Sequence, residues 1–254
     1  MTTLARIPIA VQLYSVRQNC AEDLPGTLAA IAKMGYEGVE FAGYYDYSAA
    51  DLRKMLDDVG LRAAGTHTRF TTLLPDQFEA TVEFNKIIGN KYLIVPSLPP
   101  NRKGSKEAWL SNAELFNELA EKLQAHGMLT GYHNHSDEFS PIDGEATALE
   151  ILMSNTRSDV AMQIDIGNAI KGGGDPIGMI KKFPGRSYTV HLKEYSATND
   201  KALVGEGDVD WKAVFSLCEE QGVTDWYIVE QESYPYPPME SIERCLKNLK
   251  DMGL

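Results

Sequence analysis

Ala161-Met162-Gln163-Ile164-Asp165-Ile166, then Asp175-Pro176, then Ser187-Tyr188-Thr189-Val190-His191-Leu192: this passage decides the fold. Two short apolar, β-rich runs flank a segment whose Asp-Pro pair reads as a cap followed by proline in the first helical turn. A strand, a helix and another strand in succession make a parallel crossover, which is right-handed. The unit, ~30 residues long, recurs through the whole chain. β-rich runs cover 7–14, 38–42, 62–66, 92–95, 129–133, 161–166, 187–192 and 226–230. Helical patterns lie between them and one follows the last. The first covers 24–34. The second opens at Ser48, with Asp51 three residues on. The fourth runs from Ser105 to His126, with Gly127 as its stop. The seventh begins near Asp208 or Asp210, and the last follows Pro237-Pro238. Eight such units close into a single (β/α)8 TIM barrel, expected to fill residues 1–254 as one domain. An open doubly wound sheet is the alternative, but the first strand leads into no glycine loop.

The chain has 254 residues, 36 acidic against 24 basic, and a net charge of −12. Its 43% hydrophobic content excludes a disordered chain. No stretch approaches the ~18 apolar residues of a membrane helix. Residues 1–17 lack an apolar region with a cleavage site, so no signal peptide is expected and the chain is assigned to the cytoplasm. Cys20, Cys218 and Cys245 lie far apart, which argues against a disulfide framework or a cysteine zinc site. The acidic balance counts against nucleic acid as a partner.

In an α/β barrel the chemistry sits at the carboxyl ends of the strands. Those ends carry Gln12 and Tyr14, Glu40, His67, His133 and His135, Gln163 and Asp165, His191 and Lys193, and Glu230 and Glu232. Four of the five histidines fall there. Ionisable groups inside apolar strands are costly unless paired or metal-bound. Period-two alternation puts His133 with His135, Gln163 with Asp165, His191 with Lys193 and Glu230 with Glu232. If those faces point into the mouth, His133, Asp165, His191 and Glu230 converge from four consecutive strands. Two imidazoles and two carboxylates suit one divalent transition metal: Mn²⁺ first, with Co²⁺, Fe²⁺ and Zn²⁺ as alternatives. His135 replaces His133 if the strand register is off by two.

Gln12-Leu13-Tyr14-Ser15, Gly35-Tyr36-Glu37-Gly38-Val39-Glu40, Gly65-Thr66-His67, Tyr132-His133-Asn134-His135, Gln163-Ile164-Asp165-Ile166-Gly167, His191-Leu192-Lys193 and Ile228-Val229-Glu230-Gln231-Glu232 together resemble the sugar phosphate isomerase/epimerase group of xylose isomerase-like TIM barrels. The resemblance implies a divalent metal held by one residue from each of strands five to eight. Ketose epimerases of that group use Glu, Asp, His and Glu; the last three match Asp165, His191 and Glu230, and His133 departs from the first. The Tyr-His-x-His pattern is similar to inosose dehydratases. The expected activity is a sugar isomerase or epimerase that abstracts a proton beside a carbonyl through a metal-stabilised enediolate. A lyase acting on a keto-cyclitol or 3-keto-sugar is the alternative. Glu230, His135 and Lys193 are the expected catalytic groups. Glu40, His67, Gln163 and Tyr14 are the expected substrate contacts.

Other features have two readings each. Gly172-Gly173-Gly174 is either a phosphate-binding turn or a plain loop. Gly205-Glu206-Gly207-Asp208 either covers substrate or forms a capped turn. Trp109, Trp211, Trp226 and Tyr44-Tyr45 either stack on a sugar or pack in the core. Asp137-Glu138 reads as a solvated loop, and Tyr234-Pro235-Tyr236 as a contact in a homo-oligomer. The rivals from other classes are a metal-dependent abasic-site endonuclease, disfavoured by the charge of −12, and a non-catalytic sugar-binding barrel.

Overall fold

The computed structural model describes residues 6–142, 144 and 146–254. The first five residues of the expected domain lie outside the described ones. Strands β1 (Ile9–Gln12), β2 (Gly38–Phe41), β3 (Arg62–His67), β4 (Tyr92–Val95), β5 (Leu129–His133), β6 (Ala161–Asp165), β7 (Thr189–Leu192) and β8 (Trp226–Val229) form a closed, all-parallel barrel in sequence order. β8 pairs with β1, so the sheet has no free edge. Every β-rich run of the sequence is a strand.

Ten α-helices occur among the described residues: α1 (Arg17–Glu22), α2 (Leu24–Met34), α3 (Ala49–Val59), α4 (Phe78–Ile88), α5 (Lys106–Gln124), α6 (Ala148–Ser154), α7 (Ile166–Lys171), α8 (Pro176–Lys182), α9 (Trp211–Gln221) and α10 (Pro238–Asp251). The caps explain where they start. Ser48 Oγ accepts from Asp51 N at 3.1 Å, Ser105 Oγ from Ala108 N at 3.2 Å, and Asp175 Oδ1 from Gly178 N at 2.9 Å. Of Asp208 and Asp210, Asp210 is the cap of α9. α5 ends at Gln124, two residues before His126, and Gly127 at φ 68° closes it. The additional elements α1 and α7 are six residues each, too short to show an amphipathic period.

The core has two parts. Outward strand residues such as Val11, Val39, Met162 and Val190 pack with the helices in one large cluster. Each large apolar side chain so buried contributes roughly 1.5–3 kcal/mol. Inside the barrel, Ala10, Ala64, Ile94, Ala161, Trp226 and Ile228 form a smaller plug. The layer above that plug is polar. No helix among the described residues is long and apolar enough to cross a membrane.

Candidate metal centre

One ligand atom each from His133, Asp165, His191 and Glu230 lies within 4.8 Å of the others. Parallel register makes them neighbours: Asp165 pairs with His191 across β6 and β7. Glu230 follows β8 directly, and its N–H donates to Leu192 O. All four side chains are at most 5% exposed. Atoms around an ion at 2.0–2.2 Å stand no more than about 4.4 Å apart, so the cluster is close to ligand spacing.

The local chemistry fits a metal. Asp165 Oδ1 accepts from Asn168 N at 2.7 Å and so caps α7. Its Oδ2 is buried without a hydrogen-bond partner. Burial pushes the Asp165 carboxyl up to about 7, with Lys193 pulling it down and Glu230 pushing it up. His133 Nε2 stands 4.0 Å from Asp165 Oδ2 and 3.9 Å from Glu230 Oε2, too far for a hydrogen bond. The buried, unpartnered Asp165 Oδ2 and the His133 nitrogen that faces it are a donor pair for a cation.

The groups beneath hold these donors in place. Gln163 Nε2 donates to Glu40 Oε1 at 2.7 Å and Thr189 Oγ1 at 2.9 Å. Its Oε1 therefore faces His133 Nδ1 at 3.1 Å and His67 Nε2 at 2.9 Å. Both rings must donate there, which leaves His133 Nε2 with its lone pair toward the cluster. His191 Nε2 faces Glu40 Oε2 at 2.7 Å, and its Nδ1 faces Glu230 Oε2 at 2.6 Å. Burial opposes charge on His191, but the two carboxylates raise it to about 10. Burial likewise opposes charge on Glu230, yet its hydrogen bond and charge contact with His191 hold it well below the usual carboxylate range. Burial pushes His133 well below the ordinary imidazole value, and His191 and His67 add to that. His67, His133 and His191 form a second close group. Both groups share His133 and His191; the one that adds Asp165 and Glu230 contains the unpartnered Asp165 Oδ2 and is the better metal centre.

The expected substrate contacts, and His135 from the expected catalytic groups, divide into two sets. Tyr14, His67 and His135 line the cavity over the mouth. Glu40 and Gln163 are fully buried beneath it, where Gln12 Nε2 also donates to Glu40 at 2.6 Å. Gly65 makes room for them: a Cβ there would stand 2.6 Å from Glu40 Oε1. Lys193 pairs with Glu232. Its raised pKa, despite burial, follows from Asp165 and Glu230 nearby. His135 is not in the donor cluster.

The secondary motifs resolve differently. Gly172 and Gly174 pack against Ser136 O and the Phe139 ring, where any Cβ would collide; the run is a packing loop. None of Gly205, Glu206, Gly207 or Asp208 lines the cavity. Their turn is held by Glu194, which accepts from Gly205 N at 2.7 Å and Trp211 Nε1 at 2.8 Å. Trp109, Trp211 and Trp226 are buried away from the mouth, whereas Tyr44 and Tyr45 do line it. Glu138 corrects the reading of its loop as solvated. It is 1% exposed and accepts from Tyr132 OH at 2.8 Å, Lys103 Nζ at 3.0 Å and His135 N at 2.8 Å. Its place three residues after His135 is the local signal that pointed to it. Tyr234 turns inward to donate to Ser15 O at 2.8 Å, while Tyr236 stays exposed under Arg244.

A polar, metal-compatible cluster lies at the top of a closed parallel barrel, and the sequence carries a family mark. Residues 28–252 match the xylose isomerase-like TIM barrel family, and the chain belongs to it. It is 25% identical to an inosose dehydratase of Clostridium beijerinckii, over 88% of each chain. A sugar phosphate isomerase/epimerase of Parabacteroides distasonis superposes with a TM-score of 0.84 at 25% identity, covering 98% of both chains. An IOLI protein described with a bound zinc atom shares the fold at a TM-score of 0.74 and 19% identity, covering 96% of this chain and 97% of that one.

Proposed function

We propose that this protein is a divalent-metal-dependent enzyme that removes the proton beside the carbonyl of a sugar or cyclitol and expels a β-hydroxyl as water. The observation that carries the reading is the convergence of His133, Asp165, His191 and Glu230 around the unpartnered Asp165 Oδ2. A metal held by those four supplies Lewis-acid charge beside the substrate carbonyl oxygen. Glu230 is the base: it lines the cavity and is held in its ionised form. It takes the α-proton, the β-carbon–oxygen bond breaks, and the same proton leaves with the hydroxyl as water. Lys193 adds positive charge beside Asp165 and Glu230. His135, whose pKa burial lowers, offers a neutral imidazole to substrate hydroxyls. Glu40 and Gln163 act through the ligands, fixing the tautomers of His191 and His133.

Elimination stands ahead of the epimerisation expected from the motifs because Glu230 is the carboxylate of the donor cluster that lines the cavity, and Glu232 beside it is paired with Lys193. His133 occupies the place of a second, and inversion needs proton carriers on both faces. The similarity to an inosose dehydratase over most of both chains supports the same order. Isomerisation through Glu230 alone is the second reading, favoured by the likeness to the Parabacteroides protein.

The test is α-deuterium exchange in D₂O with keto-sugars and cyclitols, with the product followed by NMR. Glu230→Gln should abolish exchange and retain metal. Exchange that survives with metal in place would move the base elsewhere. Metal and exchange falling together would reduce Glu230 to a ligand.

A further inference from the structure

The cavity above the mouth measures about 1050 Å³, at the top of the roughly 300–1,000 Å³ that suits drug-sized ligands. One sugar ring at the donor cluster would fill only part of it. The rest reaches away from β5–β8 into a lobe between the β2–α3 loop and α4.

The platform of this lobe is aromatic. Tyr44 and Phe84 lie with ring centroids 4.1 Å apart. Tyr44 is pinned by Asn85, whose Nδ2 stands 3.3 Å from the Tyr44 hydroxyl. Asn85 is fully buried and is itself held by Thr66 Oγ1 at 3.2 Å and Asn90 Nδ2 at 2.8 Å. The facing loop carries Tyr45 at φ 51° and Asp46 at φ 61°. Left-handed backbone is rarely populated by non-glycine residues, and here it sets both side chains on the cavity wall. Around the platform stand Asp46, Arg69 and Gln77. Each is exposed and ends in a planar hydrogen-bonding group on the cavity wall. Metal chemistry needs none of these groups.

We propose that this lobe binds a second sugar ring, so that the substrate is a keto-sugar joined to another sugar. The proposal rests on the reading of the metal end as a sugar site. A pyranose has an apolar C–H face that stacks on an aromatic platform. Its hydroxyls ring that face, where carboxylate, guanidinium and carboxamide groups can bond them in pairs. A lone aromatic group would use the platform and make no use of Asp46, Arg69 and Gln77.

The experiment is calorimetry on zinc-loaded protein. Methyl β-D-glucopyranoside is the single-ring probe; sophorose, laminaribiose, cellobiose and maltose are the two-ring probes. At least one disaccharide should bind about tenfold or more tighter than the single ring. Ala80→Trp fills the lobe from an exposed position of α4 and should bring that disaccharide down to the single-ring level with metal content intact. The double variant Arg69→Ala/Gln77→Ala tests the same lobe by deletion and should remove most of the gain. No disaccharide above the single ring, or an advantage that survives both variants, overturns the proposal. So does phenyl β-D-glucopyranoside binding tighter than every disaccharide. Absence of α-deuterium exchange in unaltered protein would defeat the metal-end reading instead, and the two results are read separately.

Discussion

The β5–β8 half of the barrel mouth presents its chemistry from strands, whereas the β2–β3 half builds its wall from a loop and a helix face. In the first half, His133, Asp165, His191 and Glu230 sit within a residue of a strand end, and inter-strand register aligns them. In the second, Tyr44 and Asp46 come from the β2–α3 loop, and Phe84 and Asn85 from α4. Strand positions are rigid, so a small error there costs a ligand. Loop and helix positions can vary without disturbing the barrel. On the proposed reading, reaction and specificity divide between two kinds of scaffold.

Breaking the strand half should have the largest effect. Asp165→Asn removes a ligand and leaves a buried amide in its place; metal content should fall to background and α-exchange should drop by about 10³ or more. Mass spectrometry of the native protein and NMR exchange measure the two. Next comes the layer beneath. Glu40→Gln removes the carboxylate behind His191, and metal affinity should weaken about 10–100-fold, read by competition with a chelating dye. Unchanged affinity would mean that Glu40 does not orient the ligand.

The loop that carries His135 sharpens the contrast through stability. Lys103→Met leaves the buried Glu138 without its cation, at a cost of about 2 kcal/mol in urea unfolding at neutral pH. Burial alone would raise Glu138, but Lys103 and its hydrogen bonds hold it below its ordinary value of 4.5. A carboxyl with a depressed folded-state pKa stabilises above its unfolded pKa and loses that contribution as pH falls through the folded one. The gap between wild type and Lys103→Met should therefore narrow on acidification; a gap that widens would place the pair's contribution elsewhere. Smallest of all, Trp211→Phe removes the indole N–H from Glu194 and should cost about 1 kcal/mol, with exchange kinetics unchanged. A kinetic effect would connect the β7–α9 loop to the site.

Legibility follows the same division. The four converging positions are readable because period-two alternation marks the face of a strand, and a histidine or aspartate amid apolar neighbours stands out. Cap residues such as Ser48, Ser105 and Asp175 located helix starts through contacts only three residues long. Glu40 and Gln163 were visible as polar strand residues, but their depth was not. Alternation tells which way a side chain points, not whether the cavity reaches it. Asn85 on α4 carried no signal at all, because an asparagine inside a helix reads as a surface residue.

The sequence by itself determined the eight-fold alternation, the closure into one barrel and the convergence of His133, Asp165, His191 and Glu230. Each of those depends on local periodicity repeated along the chain. Tertiary structure alone decided that Glu40 meets His191 across 151 positions. It alone decided that Gln163 fixes the tautomer of His133, and that Tyr44 and Phe84 pack together on the cavity wall. Those pairings arise when β1 closes against β8 and α4 packs beside the β2–α3 loop, and no local pattern encodes a distance across a closed barrel.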